Sequence, residues 1–398
     1  MSRIDDLIRE LCPSGVEFKS LGELGSIFGG LSGKSKADFT GGNARFISYV
    51  NILNNLAVNT KADDFVRVGP SEHQRALQRG DILFTGSSET PNEVGMSSVV
   101  NTDVREPLYL NSFSIGYRMN DPQIFDPDFM KHLFRSSSLR KQIIGTASGV
   151  TRFNVSKARL ANVKIPISPI EVQQEIAKVL DLFNELEAEL EAELEAELEA
   201  RQRQYNYYRG TLLDFGEDVQ RLPLGDLATI GTGSRNTNEA IVDGVYPFFV
   251  RSQEPLAIDE YEFDEAAVIT AGDGVGVGRV FHFVDGKYAL HQRAYRIRPT
   301  SHSLLPKFLF QFFKTDFARY LATTSVHASV TSLRKPMFEK YPVPVPAIEE
   351  QERVVAILDK FDALVNDLSI DLPAELAARR RQYEYYRDLL LTFEEKVT

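Results

Sequence analysis

The stretch Arg201-Gln-Arg-Gln-Tyr-Asn-Tyr-Tyr-Arg209 recurs as Arg379-Arg-Arg-Gln-Tyr-Glu-Tyr-Tyr-Arg387, with seven of nine positions identical at an offset of 178. Self-similarity of this kind marks a repeated architecture, and here it decides the fold. Working outward, the same offset lays Val179-Leu-Asp181 on Ile357-Leu-Asp359 and Phe183 on Phe361. It also lays Leu186, Leu190, Leu194 and Leu198 on Leu364, Leu368, Leu372 and Leu376 without a gap. Farther upstream, Gly149-Val-Thr151 pairs with Ser329-Val-Thr331, and Leu21-Gly-Glu-Leu24 with Leu224-Gly-Asp-Leu227, but the offsets drift to 180 and 203. The helical segments therefore match in length while the regions ahead of them do not. The pattern reads domain, helix, domain, helix, with boundaries at 1–166, 167–216, 217–345 and 346–398.

The two larger regions read as mixed α/β, giving an α+β chain in tandem duplication. Phe46-Ile-Ser-Tyr-Val50, Asp81-Ile-Leu-Phe84, Tyr246-Pro-Phe-Phe-Val250 and Ala266-Ala-Val-Ile269 read as strands bounded by turn residues. Apolar residues at three- and four-residue spacing predict helices near 128–144 and 304–322. The two spacers read as long antiparallel, coiled-coil-like helices. Ser168-Pro-Ile-Glu171 fits a cap, a proline at the first helical position and a capping-box glutamate. The Glu-Ala-Glu-Leu tetrads from Glu187 alternate like a strand, but Ala, Glu and Leu are strong helix formers, so propensity decides for helix. A helix from Ile170 to Leu213 is roughly 65 Å long at 1.5 Å per residue. In the second spacer Pro346 replaces the capping serine, and Pro373 predicts two helices with a kink or short loop between them. A spacing of four over-rotates an apolar stripe by about 40° per step. The seam must wander, or Ala188, Ala192 and Ala196 must share the contact. Neither spacer buries its leucines alone, so the two are expected to pack on each other.

Composition narrows the class. A chain of 398 residues has room for two or three domains, and 43% hydrophobic with 25% charged residues is ordinary for a soluble globular protein. No apolar run approaches the roughly eighteen residues a membrane span needs. The charged start, Met-Ser-Arg-Ile-Asp-Asp-Leu, lacks the apolar stretch of a signal peptide, and the single Cys12 excludes an internal disulfide and a cysteine metal cluster. A cytoplasmic protein is expected. The net charge of −11 is concentrated: residues 161–220 hold 5 Lys/Arg against 14 Asp/Glu, and 341–398 hold 7 against 12. The larger regions are near neutral and remain free to place cations on one face.

The pattern as a whole resembles the specificity subunit of Type I restriction–modification systems. The resemblance covers nearly the whole chain. It rests on the Leu-Gly-(Glu/Asp)-Leu openings and on Gly80-Asp-Ile-Leu-Phe-Thr-Gly-Ser-Ser-Glu-Thr90 with Ile269-Thr-Ala-Gly-Asp-Gly274. The Pro342-Val-Pro344 exit, the tetrads and the Gln-Tyr-x-Tyr-Tyr-Arg spacer ends complete it. It implies two target-recognition domains, each reading one half of a split, asymmetric site in double-stranded DNA. It implies helices that set the unread gap and dock two methylation subunits, which bind S-adenosylmethionine and methylate adenine. Two restriction subunits can join, using ATP and Mg. No cofactor, metal or membrane is implied for this chain itself. The residues agree: an adenine methyltransferase signature and a Walker A loop are absent, and the six histidines show no metal-ligand spacing. The alternative is a coiled-coil adaptor that joins protein partners without touching DNA.

Candidate contacts follow from residue chemistry. Gly272-Asp-Gly-Val-Gly-Val-Gly278 looks like a dinucleotide loop, but a strand rather than a helix follows it, so a tight turn beside Arg279 is the better reading. Its counterpart in the first half is the loop carrying Thr85, Ser87, Ser88, Thr90 and Asn92. Thr151, Arg152, Asn154 and Lys157 close the first domain, as Thr331, Arg334 and Lys335 close the second. Hydroxyls, amides and guanidiniums suit phosphates and base edges, and equally suit a helix cap with a solvated basic turn. Arg235, Arg251, Gln253, Gln292 and Arg293 have the same chemistry and the same surface alternative. Tyr205, Tyr207, Tyr208 and Arg209, with Tyr383, Tyr385, Tyr386 and Arg387, could stack bases. Their duplicated helical setting favours packing between spacer ends or against a methylation subunit.

Overall fold

Each half opens with a short helix, Leu21–Leu24 and Leu224–Leu227, whose leucines are buried. The glycine between them admits a close neighbour: a Cβ on Gly22 would sit 3.2 Å from the Ala161 carbonyl oxygen, and one on Gly225 3.2 Å from Glu339 Cβ. The Leu21 N–H donates to the Val163 carbonyl and the Leu224 N–H to that of Tyr341, both at 2.9 Å. The repeated motif thus ties the start of each domain to the strand that leaves it. Lys164–Ile167 pairs with Glu17–Ser20, and Pro342–Pro344 with Arg221–Pro223.

The computed structural model describes residues 3–324 and 332–396. It divides into two compact units, residues 1–192 with 374–398, and residues 193–373. Both boundaries cut a long helix. In the first unit a four-stranded antiparallel sheet runs in the order Gly25–Gly29, Ser114–Met119, Ile82–Thr85, Ser97–Val99. In the second, Ala228–Thr232, Ala294–Pro299, Phe263–Ala271 and Phe281–Leu290 take the corresponding order, extended by Tyr246–Phe249 and Leu256–Ile258. Each sheet carries an ion pair at its second and third strands, Arg118 with the buried Asp81 that precedes Ile82–Thr85 and Arg296 with Glu265, both at 2.6 Å.

Some elements depart from the sequence reading. The strand at Phe46 stops at Ile47, because the helix Tyr49–Asn54 begins directly after its cap residue Ser48. The predicted helix near 128–144 is two, Pro127–Leu133 and Ser137–Gly145, parted where the Ser136 hydroxyl accepts the Leu139 N–H. The region 304–322 is helical with a π-turn at Phe313–Phe317, where both rings enter a buried aromatic cluster with Phe338 and Tyr341.

The first long helix spans Ile170–Leu212. Ser168 does not cap it: the Ser168 hydroxyl is buried without a partner, and the Pro169 carbonyl accepts the Gln173 N–H at 3.1 Å. The fastening is done by the Gln173 side chain. Its Nε2 donates to the carbonyls of Ser168 (2.7 Å) and Ile124 (3.0 Å), and its Oε1 accepts the Asp126 N–H at 2.9 Å. Gln351 repeats this in the second unit, donating to Ser303 (2.7 Å) and Pro346 (2.9 Å) and accepting from Leu305 (2.9 Å). Both glutamines are fully buried.

The second long helix, Ile348–Leu390, runs unbroken through Pro373, contrary to the predicted break. The proline removes one backbone bond at a cost of about 3 kcal/mol. Packing on either side holds the helix: Val354 and Leu358 lie in the second unit's core, and Tyr383 and Leu390 pack on the first's. In the first unit the two long helices are antiparallel. Phe183 meets Tyr383 and Tyr386, while Glu187 and Glu191, farther along, bind Arg380, each at 3.1 Å. The seam does wander. It passes from Phe183 to the two glutamates, leaving Leu186 52% exposed and Ala188, Ala192 and Ala196 exposed rather than shared in the contact. The side chains of Leu368 and Leu372 lie outside the described residues. No described helix is long and apolar enough to cross a membrane.

Candidate nucleic-acid interface

In the first unit two separated candidate segments meet in one small sheet. Phe153–Val155 pairs with Ser87–Ser88 on one side and with Ala147–Ser148 on the other, setting Asn154 opposite Ser87. The Arg152 Nη2 donates to the Ser87 hydroxyl at 3.2 Å. Thr90, Asn92, Thr151, Arg152, Asn154 and Lys157 are exposed there, and Ser87 is half-buried. Two candidates turn inward. Thr85 is buried, donating to the Glu93 carbonyl (2.6 Å) and accepting the Met96 N–H (2.8 Å). Ser88 is buried too, bonded to the Glu93 carboxylate at 3.0 Å and accepting the Thr90 N–H at 3.1 Å. Beneath the loop, Arg140 donates to the carbonyls of Asn92, Val94 and Gly95. Burial pushes its guanidinium down to about 10. These three residues shape the loop, and the exposed ones face outward from it.

In the second unit three segments converge on the glycine loop. Asp273 bridges to Ser332, and the Leu333 N–H donates to the Gly272 carbonyl at 2.7 Å, which brings in the segment that closes the domain. Arg251 Nη1 reaches Asp273 Oδ1 at 2.7 Å, and Arg293 Nη1 reaches Oδ2 at 3.3 Å. The Arg251 hydrogen bond, with both guanidiniums close by, holds the Asp273 carboxyl below its ordinary value. The strand Phe281–Leu290 follows the loop, as the sequence reading expected, and Gly274–Gly276 forms a single 3₁₀ turn. A cleft of about 530 Å³ opens between Thr237, Arg251, Leu256, Asp273 and Val275.

The remaining candidates ring this centre. Arg235 bridges to His291 through the backbone, and its guanidinium is held by Glu239 (3.0 Å) and Glu260 (2.8 Å). Gln292 Nε2 donates to Asn236 Oδ1. Gln253 is exposed. Arg279 and Arg334 are exposed and make no ion pair among the described residues; Lys335 faces Glu339 at 3.7 Å. Thr331 lies outside the described residues. Sequence reasoning passed over Asp273, although it stands inside a quoted motif. The signal was there in the two glycines flanking a lone carboxylate.

The tyrosine–arginine clusters divide in the same way in both units. Tyr205 is buried, with its hydroxyl on Asp362 at 2.6 Å, and Tyr208 stacks on Phe361. Tyr383 is half-buried, with its hydroxyl 3.4 Å from His132 Nδ1, and Tyr386 stacks on Phe183. Arg209 is buried against the Gln311 carbonyl, and Arg387 is held by Asp388. Tyr207 and Tyr385, 70% and 65% exposed, project outward from equivalent positions.

Comparison with known proteins bears on this arrangement. The model of the Type I restriction modification DNA specificity domain matches residues 13–200 and again 216–378. A Haemophilus influenzae protein described as a type I restriction enzyme specificity subunit is 32% identical over 266 residues, 62% of this chain and 68% of that protein. An Escherichia coli type I restriction enzyme specificity subunit is 32% identical over 251 residues, 57% of this chain and 61% of its own length. Among solved structures, a chain from a study of type I R-M complex assembly superposes with a TM-score of 0.73 at 17% identity, covering 96% of this chain and 98% of that one. The HsdS subunit from Thermoanaerobacter tengcongensis gives 0.60 at 16% identity, covering 96% and 97%. At such identities the structural likeness shows the fold, and the fold is shared from end to end.

Proposed function

This chain belongs to the Type I restriction modification DNA specificity family, and from that premise we propose that it reads a bipartite, asymmetric site in double-stranded DNA. The observation that carries the reading is the equivalent placement of two unlike surfaces. In each unit the loop after a central strand is met by the segment that closes the domain. In one unit this gathers hydroxyls, an amide and Arg152; in the other it gathers arginines around Asp273. Such groups position a duplex through phosphates and read it through base edges. Because the surfaces differ, the half-sites differ.

The division of labour follows from the family. This chain chooses the site, and two methylation subunits carrying S-adenosylmethionine modify adenine there. Restriction subunits with ATP and Mg complete the nuclease where they are present. Tyr207 and Tyr385, exposed at matching positions, are the docking candidates for the two methylation subunits. A cytoplasmic location goes with this role.

The experiment is a methylation map of the genome of a methylation-free host carrying this gene with its methylation partner. A split adenine motif with two different halves is expected. Assembly of the complex with no gene-dependent motif would favour the adaptor reading and overturn this one.

A further inference from the structure

The glycine loop of the second unit is built around two arginines. A Cβ on Gly272 would lie 2.5 Å from the Arg293 carbonyl oxygen, and one on Gly276 2.7 Å from that of Arg251. Any larger residue would push one arginine-bearing segment away. Between these glycines stands Asp273, with one carboxylate oxygen for each guanidinium. Behind them stands His291, whose value is lowered by burial first and then by the two nearby guanidiniums, and its Nδ1 accepts the Arg293 backbone N–H at 3.0 Å. Glycines that look like a phosphate cradle are thus accounted for by close packing of protein backbone.

A carboxylate is out of place on a surface meant for phosphates, since it repels them and cancels one of the two cations. It suits a base edge. A G·C pair shows two adjacent acceptors on guanine, O6 and N7, and a donor on cytosine, N4–H₂. Arg251 uses Nη1 for Asp273, and its Nη2 and Nε have no partner among the described residues. Those two N–H groups form the fork that guanine accepts. The Asp273 lone pairs left over match the cytosine amine. Adenine puts a donor where guanine has O6, and meets the fork unfavourably.

Resting on the DNA-reading function proposed above, we infer that Arg251, oriented by Asp273 with Arg293 as its counterweight, reads a guanine in the second unit's half-site. Asp273 is a positioning residue for that contact and accepts from the paired cytosine. Among the described residues the first unit has no such clamp: its Arg152 leans on a serine hydroxyl.

The test uses the assembled methyltransferase and duplexes carrying the mapped site, with each guanine replaced in turn by 7-deazaguanine, which lacks the N7 acceptor. One replacement is expected to weaken the wild-type complex about tenfold or more, a typical size for loss of one hydrogen bond to a charged group. The same replacement should weaken the Arg251→Ala complex less than about twofold further. Arg251→Lys, which keeps the charge and loses the fork, should behave like Arg251→Ala. Asp273→Ala should lower the discrimination at that guanine while raising affinity for unrelated duplex, a combination that simple loss of fold does not give. Multiplying losses from the base and the side chain would overturn the inference, as would a site in which no guanine is sensitive. A wild-type complex with no sequence preference at all would instead sink the DNA-reading function itself.

Discussion

The two reading surfaces occupy the same place in their units and are made of different materials. The first is braced from beneath. Arg140 is consumed by three carbonyls and Thr85 by two backbone groups, so the loop's shape is fixed by buried bonds, and the charged side chains Glu89, Arg152 and Lys157 are exposed among small neutral groups. The second is braced within the surface itself, where Asp273 holds two exposed arginines. The surrounding fold was kept in both, down to Gln173 and Gln351 and to the glycine of each opening helix. Duplication preserved what carries the fold and released what faces outward. On this view specificity changes in loops while the frame stays constant.

The largest effect should come from the frame. One tetrad adds about 6 Å of helix, against roughly 3.4 Å per base pair along a DNA strand. Removing one Ala-Glu-Leu-Glu unit from the first long helix should abolish methylation of the original site and create one whose gap differs by one or two base pairs. Both halves should keep their sequence. A methylation map of the variant decides this, and an altered half-site would break the separation between frame and surface.

Next come the buried glutamines. Each satisfies three backbone groups around the entry to a long helix, so truncation leaves buried polar groups without partners. Gln173→Ala and Gln351→Ala should each cost about 3 kcal/mol, read as a lower denaturant midpoint for the unit concerned. Similar losses from the two variants would confirm equivalence; a negligible loss from either would contradict it.

A smaller, pH-dependent effect should separate the units. His132 and Gln311 hold corresponding buried positions beside the long helices. Burial, and secondarily Lys131, lowers the His132 value below 6.5, while Asp181, 2.7 Å away, partly offsets this. The unfolded chain therefore takes up the proton before the folded one does. The stability it contributes is complete above 6.5 and declines as the pH falls through the folded value. Between those values wild type should lose stability that His132→Gln, which borrows the second unit's residue, retains. Parallel pH profiles would show that His132 takes up its proton equally in the folded and unfolded chain, and would contradict the lowered value.

How much of this was legible in the sequence follows from what each feature depends on. The duplication and the long helices rest on local pattern and on identity at fixed offset, and both are written in the chain, whereas the meeting of loop and closing segment is a contact between distant residues that neither pattern records. Pro373 misled because its cost is local, whereas the helix is held by Val354 and Leu358 on one side and Tyr383 and Leu390 on the other. Ser168 misled because a cap consensus is one residue from being a buried hydroxyl, and the real fastening, Gln173, binds carbonyls as distant as Ile124. Among the site residues, Thr85 and Ser88 have the chemistry of contacts but are turned inward by Glu93. Asp273 has the wrong charge for DNA until its two arginines are seen.

The most direct test of the account is a pair of methylation maps, one for the assembled complex with Arg152→Ala and one with Arg251→Ala. The account predicts that each variant relaxes a different half of the split site and leaves the other half as strict as in wild type, with the Arg251 variant losing its preference at a guanine. Relaxation of the same half by both variants, or uniform loss of methylation with neither half changed in sequence, would contradict it.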